Sequence, residues 1–308
     1  MSALQSVIIT GATSMVGAEC AAACLKMGIN VTALVRPYSS RLERLPQDSH
    51  LAIVECEMEQ YENVQLPEKK YDVCYHFAWG ATSHKARLLP DEQTKNVSYA
   101  ISAVKMAARY GCRRFVGAGS QAEYGLAQGP LSPTSPCEPI TAYGIAKDAA
   151  RRMCQIECAN SGLEFCWGRI FSVYGPYDNP DTLISSLLEH LETGQQMDLS
   201  KCEQIWDYLY SEDCGRAMAL IGKLGKPGAI YCIGSGKGYP LKQYVEMIGN
   251  IYGTDLSLWM GRLPGELSQT QFLQADTRTL QSDTGFCPEI DFEQGIRKTI
   301  ESKRRHRG

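Results

Sequence analysis

Tyr143 and Lys147, four residues apart, are the pair in this 308-residue chain best suited to acid–base chemistry. They lie in the run Thr-Ala-Tyr-Gly-Ile-Ala-Lys over residues 141–147, and no helix-breaking residue follows over residues 148–152. Helical spacing places both side chains on one face. A phenol has a pKa of about 10, and a nearby ammonium favours its ionised form, so the pair can exchange protons closer to neutral pH. The same spacing is also typical of an ordinary helix with a solvated lysine, so the rest of the chain must decide between the two interpretations.

The composition argues against several classes of protein. A formal net charge of -3, from 31 Lys and Arg against 34 Asp and Glu, does not favour a general nucleic-acid-binding surface. The basic run over residues 303–307 is interpreted as a solvated terminal tail. The chain has no window of about twenty consecutive apolar residues and no pattern of a secretory signal, so we expect a cytoplasmic protein that does not span a membrane.

The 13 cysteines are scattered and include no CxxC pair. This pattern fits neither a disulfide framework nor a structural zinc site, and we predict no metal. Cys20 with Cys24, and Cys154 with Cys158, have the spacing of one helix face. They are interpreted as small buried hydrophobic residues.

A glycine-bearing turn follows the first predicted strand, residues 7–10, and leads into an apolar helix that ends at Gly28. Strand, turn and helix together place backbone N–H groups and a helix N-terminus against a pyrophosphate. Gly11 would permit the tight turn and Gly17 close packing of the helix on the strand, while Ser14 replaces the usual middle glycine. We therefore predict a dinucleotide site formed by Gly11, Thr13, Ser14, Met15, Val16 and Gly17.

Arg36 stands at the end of the second predicted strand, residues 30–35, where an NAD-binding protein usually carries an acidic residue. A guanidinium suits a 2′-phosphate, so NADP(H) is the preferred cofactor and NAD(H) the second possibility. A solvent-facing arginine at a strand end is the alternative interpretation. A third strand over residues 51–54 precedes Glu57 and Met58, which we predict to bind and cover an adenine ring.

Short apolar strands continue to alternate with helices. Residues 71–77 and 113–118 read as the fourth and fifth strands, with a helix over residues 91–110 between them. This alternation predicts an α/β fold of the Rossmann type, a doubly wound parallel sheet covered on both faces. Ligands of such sheets bind at the carboxyl ends of the strands, where the candidate residues cluster.

Motifs over nearly the whole chain resemble those of one family. They are the glycine turn over residues 11–17, Ala78-Trp79, Ser120 four residues before Tyr124-Gly125, Tyr143 with Lys147, the runs over residues 169–176 and 206–213, and Asp276 with Arg278. In these motifs the chain resembles the extended short-chain dehydrogenases/reductases, the nucleotide-sugar epimerase/dehydratase family. The resemblance greatly favours the acid–base interpretation of Tyr143 and Lys147.

The resemblance also implies roles for matching residues. Ser120 would hydrogen-bond the reacting oxygen, Tyr143 would transfer the proton, and Lys147 would hold the nicotinamide ribose and lower the tyrosine pKa. Further cofactor contacts are implied for Phe77, Ala78, Trp79, Phe171 and Val173, and substrate contacts for Gln121, Glu123, Tyr124, Trp206 and Arg262. Other interpretations stay open for two of these residues, because Glu123 fits a cap or a solvent-facing position and Tyr124 fits a packed aromatic.

In the family, the second part of the chain forms a smaller lobe over the nucleotide sugar. We therefore expect a Rossmann domain over residues 1–175 and a substrate-binding lobe over residues 176–308, with a segment near residues 205–235 returning to the sheet. Periodic apolar residues predict lobe helices over residues 181–192, 212–223 and 241–252. Arg262 resembles the family's arginine for the nucleotide diphosphate. Trp206 stands where many members carry a second arginine, and it is expected to pack on the base.

The residues after Ser120 discriminate between reactions. Dehydrating members carry an Asp-Glu pair there, and many enolising epimerases carry a cysteine at the second position, whereas this chain has Gln121 and Ala122. We therefore predict NADPH-dependent reduction of the C4 keto group of a nucleotide-linked 4-keto-6-deoxyhexose. The alternatives are an NAD-dependent C4 epimerase and, in another class, a non-catalytic NADP-binding sensor. The family's helix pairing, applied to residues 91–110 and 142–161, predicts a homodimer.

Overall fold

The computed structural model describes residues 4–263 and 270–307. Within these ranges, strands and helices alternate through most of the chain. In chain order they are β1 (Ser6–Thr10), α1 (Met15–Lys26), β2 (Asn30–Val35), β3 (Leu51–Glu55), β4 (Val73–His76), α2 (Pro90–Arg109), β5 (Arg114–Ser120), α3 (Ala142–Asn160), β6 (Glu164–Ile170), β7 (Ser172–Tyr174), α4 (Leu183–Thr193), β8 (Ile205–Trp206), β9 (Tyr208–Tyr210), α5 (Ser211–Leu224), β10 (Ile230–Ile233), β11 (Tyr239–Pro240), α6 (Leu241–Tyr252), β12 (Phe272–Leu273), α7 (Arg278–Thr284) and α8 (Phe292–Arg307).

The central element is a seven-stranded sheet in the order β10-β6-β5-β4-β1-β2-β3, in which all the pairings are parallel. Helices α1 and α5 pack against each other on one face, and α2 and α3 on the other. The sheet is therefore covered on both faces, and all four residues of β4 are buried. This architecture confirms the predicted Rossmann-type fold.

Side-chain caps define where the two site-bearing helices begin. The Ser14 hydroxyl accepts a hydrogen bond from the Gly17 amide at 3.1 Å, and the Thr141 hydroxyl accepts one from the Gly144 amide at 3.1 Å. Such caps satisfy amides that have no partner within the helix. Helix α1 therefore starts directly after the glycine turn, and α3 starts one residue before Tyr143.

One strand within residues 205–235 joins the main sheet. The run over residues 206–213 forms the end of β8, then β9 and the start of α5, and β9 pairs with β7 in a separate two-stranded sheet. Strand β10 is the part that joins the main sheet, beside β6. Helix α5 packs on α1, so its apolar face is buried against the main sheet's helical layer.

Apart from the buried residues on the two faces of the main sheet, a further apolar cluster lies under α4, α6 and α8. It is next to a small sheet in the order β11-β8-β12. Buried Asp207 links this region to the main sheet. Its carboxylate accepts hydrogen bonds from the Ser235 amide at 2.7 Å, the Ser235 hydroxyl at 2.6 Å, the Gly236 amide at 3.0 Å and the Ala275 amide at 3.0 Å. These bonds hold the loop after β10 against the segment after β12.

Within residues 4–263 and 270–307, no helix is long and apolar enough to cross a membrane. The same residues contain no group of three or more His, Cys, Asp or Glu arranged to hold a metal ion. The cysteines all carry free thiols, and all are buried except half-buried Cys137 and exposed Cys287.

Candidate active site

A cleft of about 1510 Å³ lies along the carboxyl ends of the parallel strands and extends under the small sheet. Most of the predicted site residues line it. These are Gly11, Thr13, Ser14, Met15, Val16, Arg36, Met58, Phe77, Ala78, Trp79, Ser120, Gln121, Tyr143, Lys147, Phe171, Val173 and Trp206. The cleft is larger than the roughly 300–1,000 Å³ of a common small-molecule pocket, so it has room for two extended ligands.

The glycine turn at one end has the shape required to approach a pyrophosphate. Gly11 adopts a positive φ of 64°, and a Cβ atom there would lie 2.5 Å from the Ala78 amide nitrogen. A Cβ at Gly17 would lie 2.4 Å from the Gly11 carbonyl oxygen, which explains the close packing of α1 on β1. Ser14, Met15 and Val16, where α1 begins, line the cleft, so the residues present fit a dinucleotide phosphate.

The predicted cofactor contacts around β2 and β3 require one correction. Arg36 is exposed and lines the cleft just past β2. Met58 also lines it, but Glu57 does not, and Cys56 takes its place in the wall. Glu57 is half-buried and directly precedes a short 3₁₀ helix that begins at Met58.

Ser120, Tyr143 and Lys147 meet where β5 ends beside α3. The Ser120 hydroxyl accepts a hydrogen bond from the Ala122 amide at 3.2 Å, and its interaction with the Tyr143 phenol lowers the pKa of that phenol. The Lys147 ammonium donates to the Ala118 carbonyl at 2.8 Å and lies 3.7 Å from the centre of the Trp79 ring. Sequence reasoning therefore identified three polar groups that the fold brings to one place.

The electrostatics of this site differ from the expectation. Burial raises the pKa of Tyr143, while Arg87 and the Ser120 hydroxyl lower it and Glu123 raises it further. Burial lowers the pKa of Lys147 to about 7, against a raising effect of Glu123. Lys147 lies 5.8 Å from the Tyr143 ring centre, so the nearer cation is Arg87 at 4.7 Å. A neutral phenol at pH 7 is suited to donate a proton.

Glu123 and Tyr124 do not reach the cleft, which corrects two predicted substrate contacts. Glu123 is fully buried and accepts hydrogen bonds from the Ser120 amide at 2.9 Å and the Trp167 indole at 2.9 Å. Tyr124 is buried as well, and its hydroxyl donates to the Ser132 carbonyl at 2.7 Å. The cap interpretation of Glu123 and the packed-aromatic interpretation of Tyr124 describe these two residues.

Arg262 lies at the rim of the small lobe and does not line the cleft, although the next residue, Leu263, does. Its guanidinium donates to the Leu258 carbonyl at 2.8 Å and lies 3.8 Å from the Asp198 carboxylate. Residues 264–269, which follow in the chain, lie outside the described residues. An Arg262 contact with a nucleotide diphosphate therefore stays a prediction.

Residues 7–234 match the sequence model of the NAD dependent epimerase/dehydratase family, which is well over half of the chain. The chain belongs to this family. UDP-glucose 4-epimerase of Corynebacterium glutamicum is 25% identical over 304 residues, which cover 92% of this chain and 91% of that protein. dTDP-glucose 4,6-dehydratase of Streptomyces niveus is 24% identical over 319 residues, which cover 98% and 93%.

In structure, this family member superposes on MoeE5 in complex with UDP-glucose and NAD with a TM-score of 0.83. The sequence identity is 25%, and the alignment covers 98% of this chain and 100% of the other. The relatives by sequence are named for two different reactions. The choice of reaction therefore depends on the side chains of this family member.

Several cleft residues of this family member were missed by sequence reasoning. Arg41, His84, Arg87 and Asp178 all line the cleft. Burial raises the pKa of Asp178 to about 6. Arg41 could have been found, because arginines recur at positions 36, 41 and 44 after the second strand. Arg87 and Asp178 follow no motif, and their positions depend on loop conformation.

Proposed function

We propose that this protein reduces the C4 keto group of a nucleotide-linked 4-keto-6-deoxyhexose with NADPH. The observation that carries the proposal is that Ser120, Tyr143 and Lys147 line one cleft. The two residues that follow Ser120 in the chain are Gln121 and Ala122. Abstraction of a proton next to a carbonyl needs a base, and neither an amide nor a methyl group is one. The residues therefore favour hydride and proton transfer at a single carbon over dehydration.

NADP(H) is the cofactor that we propose, because two guanidinium groups, Arg36 and Arg41, line the cleft past β2. The acidic residues that line the described part of the cleft are Asp178 and Asp198, and both follow β7 in the chain, on the small-lobe side. A guanidinium suits a 2′-phosphate, whereas an acid would suit the ribose hydroxyls of NAD. The bound nicotinamide supplies the hydride.

The residues of the chain supply the proton and the electrostatic stabilisation. Tyr143 donates its phenolic proton to the oxygen that becomes the alcohol, and Ser120 hydrogen-bonds the same oxygen while negative charge develops on it. The Ala118 carbonyl holds Lys147 within the cleft, and the role that we propose for this lysine is contact with the nicotinamide ribose. Trp79 forms a wall of the site, since it contacts Lys147 on its face and Tyr143 at 6.0 Å in an edge-to-face geometry.

The test is oxidation of NADPH, followed by its absorbance, with a panel of nucleotide-linked 4-keto-6-deoxyhexoses. We expect turnover with at least one sugar and a loss of about 10²–10⁴-fold in Tyr143→Phe, as for loss of a general acid. Folded protein that binds NADPH but consumes none with any sugar contradicts the reductase. If binding is intact and Tyr143→Phe changes nothing, the non-catalytic sensor is favoured.

A C4 epimerase that uses NAD is the second candidate. It is favoured by the relative of 25% identity named UDP-glucose 4-epimerase and by the structural likeness to MoeE5 with UDP-glucose and NAD. The same Ser120, Tyr143 and Lys147 would then remove and return the proton of the C4 hydroxyl, while NAD would take up and return the hydride at C4. Mass spectrometry of the nucleotide released from purified protein separates the candidates, because an epimerase retains NAD and a reductase exchanges NADPH.

We also propose a homodimer formed through α2 and α3. On α3, Ile145, Met153 and Ile156 are exposed to 55%, 49% and 58%. Large exposed apolar side chains at helical spacing are suited to an interface, and two-fold dimers are the commonest assembly. Sedimentation should give a dimer, and Ile156→Glu should shift it to monomer without loss of helical content. A monomeric wild-type protein would exclude this assembly.

A further inference from the structure

A loop between β4 and α2, residues 79–89, brings a guanidinium onto the ring of Tyr143. The Arg87 guanidinium carbon lies 4.7 Å from the ring centre of Tyr143, which is the geometry of a cation–π contact. Arg87 itself is exposed and lines the cleft. The resemblance to the family assigns no role to this residue.

The loop that carries Arg87 is anchored by two buried amide side chains of α2. Gln93 accepts a hydrogen bond from the Trp79 indole at 2.9 Å and donates to the Ala81 carbonyl at 2.9 Å and the Ala86 carbonyl at 3.0 Å. Asn96 accepts one from the Gly80 amide at 2.7 Å. Buried amides that bond both ends of a loop hold it in one conformation.

The charged and polar groups around Tyr143 come from several elements. Lys147 is on α3, but its ammonium is engaged by Ala118 and the face of Trp79. Ser120, at the end of β5, lowers the pKa of the phenol, and Glu123, in the turn after β5, raises it. Asp178, from the other side of the cleft, interacts electrostatically with Arg87. Arg87 is the cation nearest the Tyr143 ring among these groups.

We propose that Arg87 is a second cation of the acid–base site, which holds the Tyr143 ring and favours its phenolate. The proposal rests on the proposed function for its catalytic meaning, because proton transfer by Tyr143 is part of that function. A guanidinium stays charged over the whole working pH range. The electrostatic effect of Arg87 on Tyr143 therefore does not change with pH while the loop keeps this conformation. The loop over residues 79–89 thereby lowers the pH at which Tyr143 exchanges its proton.

The physical basis is the difference between the neutral and ionised phenol. A cation attracts the ring face in both states, but it attracts a phenolate more strongly because of the added negative charge. An opposite charge within about 4–6 Å moves a pKa by about 1–3 units. Since Arg87 is partly solvated, we expect the lower end of this range.

The test places 3,5-difluorotyrosine at position 143 and follows its ¹⁹F NMR signal against pH in the protein without substrate. The fluorinated phenol is more acidic than tyrosine, so it titrates where the protein is folded. We expect the midpoint to rise by about one unit in Arg87→Met. Arg87→Lys should recover part of the shift, because it keeps the charge but lacks the planar stacking group.

Lys85→Met is the matched control, since Lys85 is an exposed cation of the same loop. In Lys85→Met, the titration midpoint of the fluorotyrosine at position 143 should equal the midpoint measured with the unsubstituted loop. An unchanged midpoint in Arg87→Met overturns the proposal, and so does an equal shift in Lys85→Met. Unfolding curves are measured first, and they establish that each variant is folded under the conditions of the titration.

This titration needs no turnover, so it can succeed even where the proposed reductase fails. Where turnover exists, the pH profile of kcat for alcohol oxidation should move to higher pH in Arg87→Met by the same amount as the ¹⁹F midpoint. A raised KM with an unmoved profile would instead make Arg87 a substrate contact alone and would contradict the proposal.

Discussion

The Glu123 carboxylate and the Arg169 guanidinium form a fully buried ion pair of 2.7 Å beneath Ser120. The same carboxylate accepts a hydrogen bond from the Ser120 amide, while the Ser120 hydroxyl caps the turn that follows β5. Glu123 therefore positions the candidate catalytic serine, although it lies out of reach of any ligand in the cleft. This relationship connects the stability of the protein with the geometry of its site.

Loss of Glu123 should be costly. Glu123→Gln leaves the Arg169 charge buried and unpaired, and removal of one partner of such a pair costs about 3–5 kcal/mol. Urea unfolding should show this loss, together with reduced turnover. Glu62→Gln is the control, because its exposed pair with Lys105 at 3.4 Å should contribute only about 0–1 kcal/mol. A loss below about 1 kcal/mol in Glu123→Gln would contradict the positioning role.

Gly119→Ala should destabilise the protein through steric overlap. A Cβ there would lie 2.1 Å from the Trp167 indole nitrogen and 2.4 Å from a Glu123 carboxylate oxygen. Overpacking a closed site costs about 1–3 kcal/mol, and here it also disturbs the hydrogen bonds of Glu123. Gly129→Ala provides the comparison, since no atom lies within 4 Å of its Cβ position. Equal denaturation midpoints for the two variants would show that the described packing is wrong.

Stability should depend on pH through Lys147, whose folded-state pKa of about 7 lies below its ordinary value because of burial. Between about pH 7 and pH 10 the unfolded chain keeps a proton on this lysine that the folded protein has lost. The free energy of unfolding attributable to Lys147 therefore rises with pH in this window, by up to about 1.4 kcal/mol per unit, and is constant below it.

The measurement is the difference in unfolding free energy between wild type and Lys147→Met at a series of pH values. This difference removes the contributions of the buried thiols and phenols that both proteins share. Lys69→Met is the control for the loss of an exposed lysine side chain. A flat difference for Lys147→Met would mean that the ammonium is not desolvated.

Arg36 should decide cofactor preference if the proposed 2′-phosphate contact is correct. Arg36→Ala should weaken the binding of NADPH by roughly tenfold to a hundredfold. This corresponds to the loss of about 1.5–3 kcal/mol for a charge-assisted hydrogen bond. Calorimetric titration of the same variant with NADH provides the control, because NADH has no phosphate at this position. If the affinity for both nucleotides falls equally, Arg36 contributes to dinucleotide binding in general. The basis for preferring NADPH would then be removed.

Sequence alone determined the elements whose order is local. The strand, glycine turn and helix over residues 6–26 follow from adjacent residues, and Tyr143 and Lys147 share a helix face because of helical periodicity. Residues at the ends of parallel strands had to meet at one edge of the sheet. The fold, and the residues of the cleft that lie at the glycine turn and at the strand ends, could be predicted on these grounds.

Only the tertiary structure decided which distant groups pair. Glu123 meets Arg169 across two strands of the sheet, and Arg87 meets Tyr143 because a loop anchored by Gln93 bends over α3. No periodicity relates such positions, since their separation depends on loop conformation and on how helices pack. Burial also sets the pKa values of Tyr143 and Lys147, and burial is a property of the assembled fold.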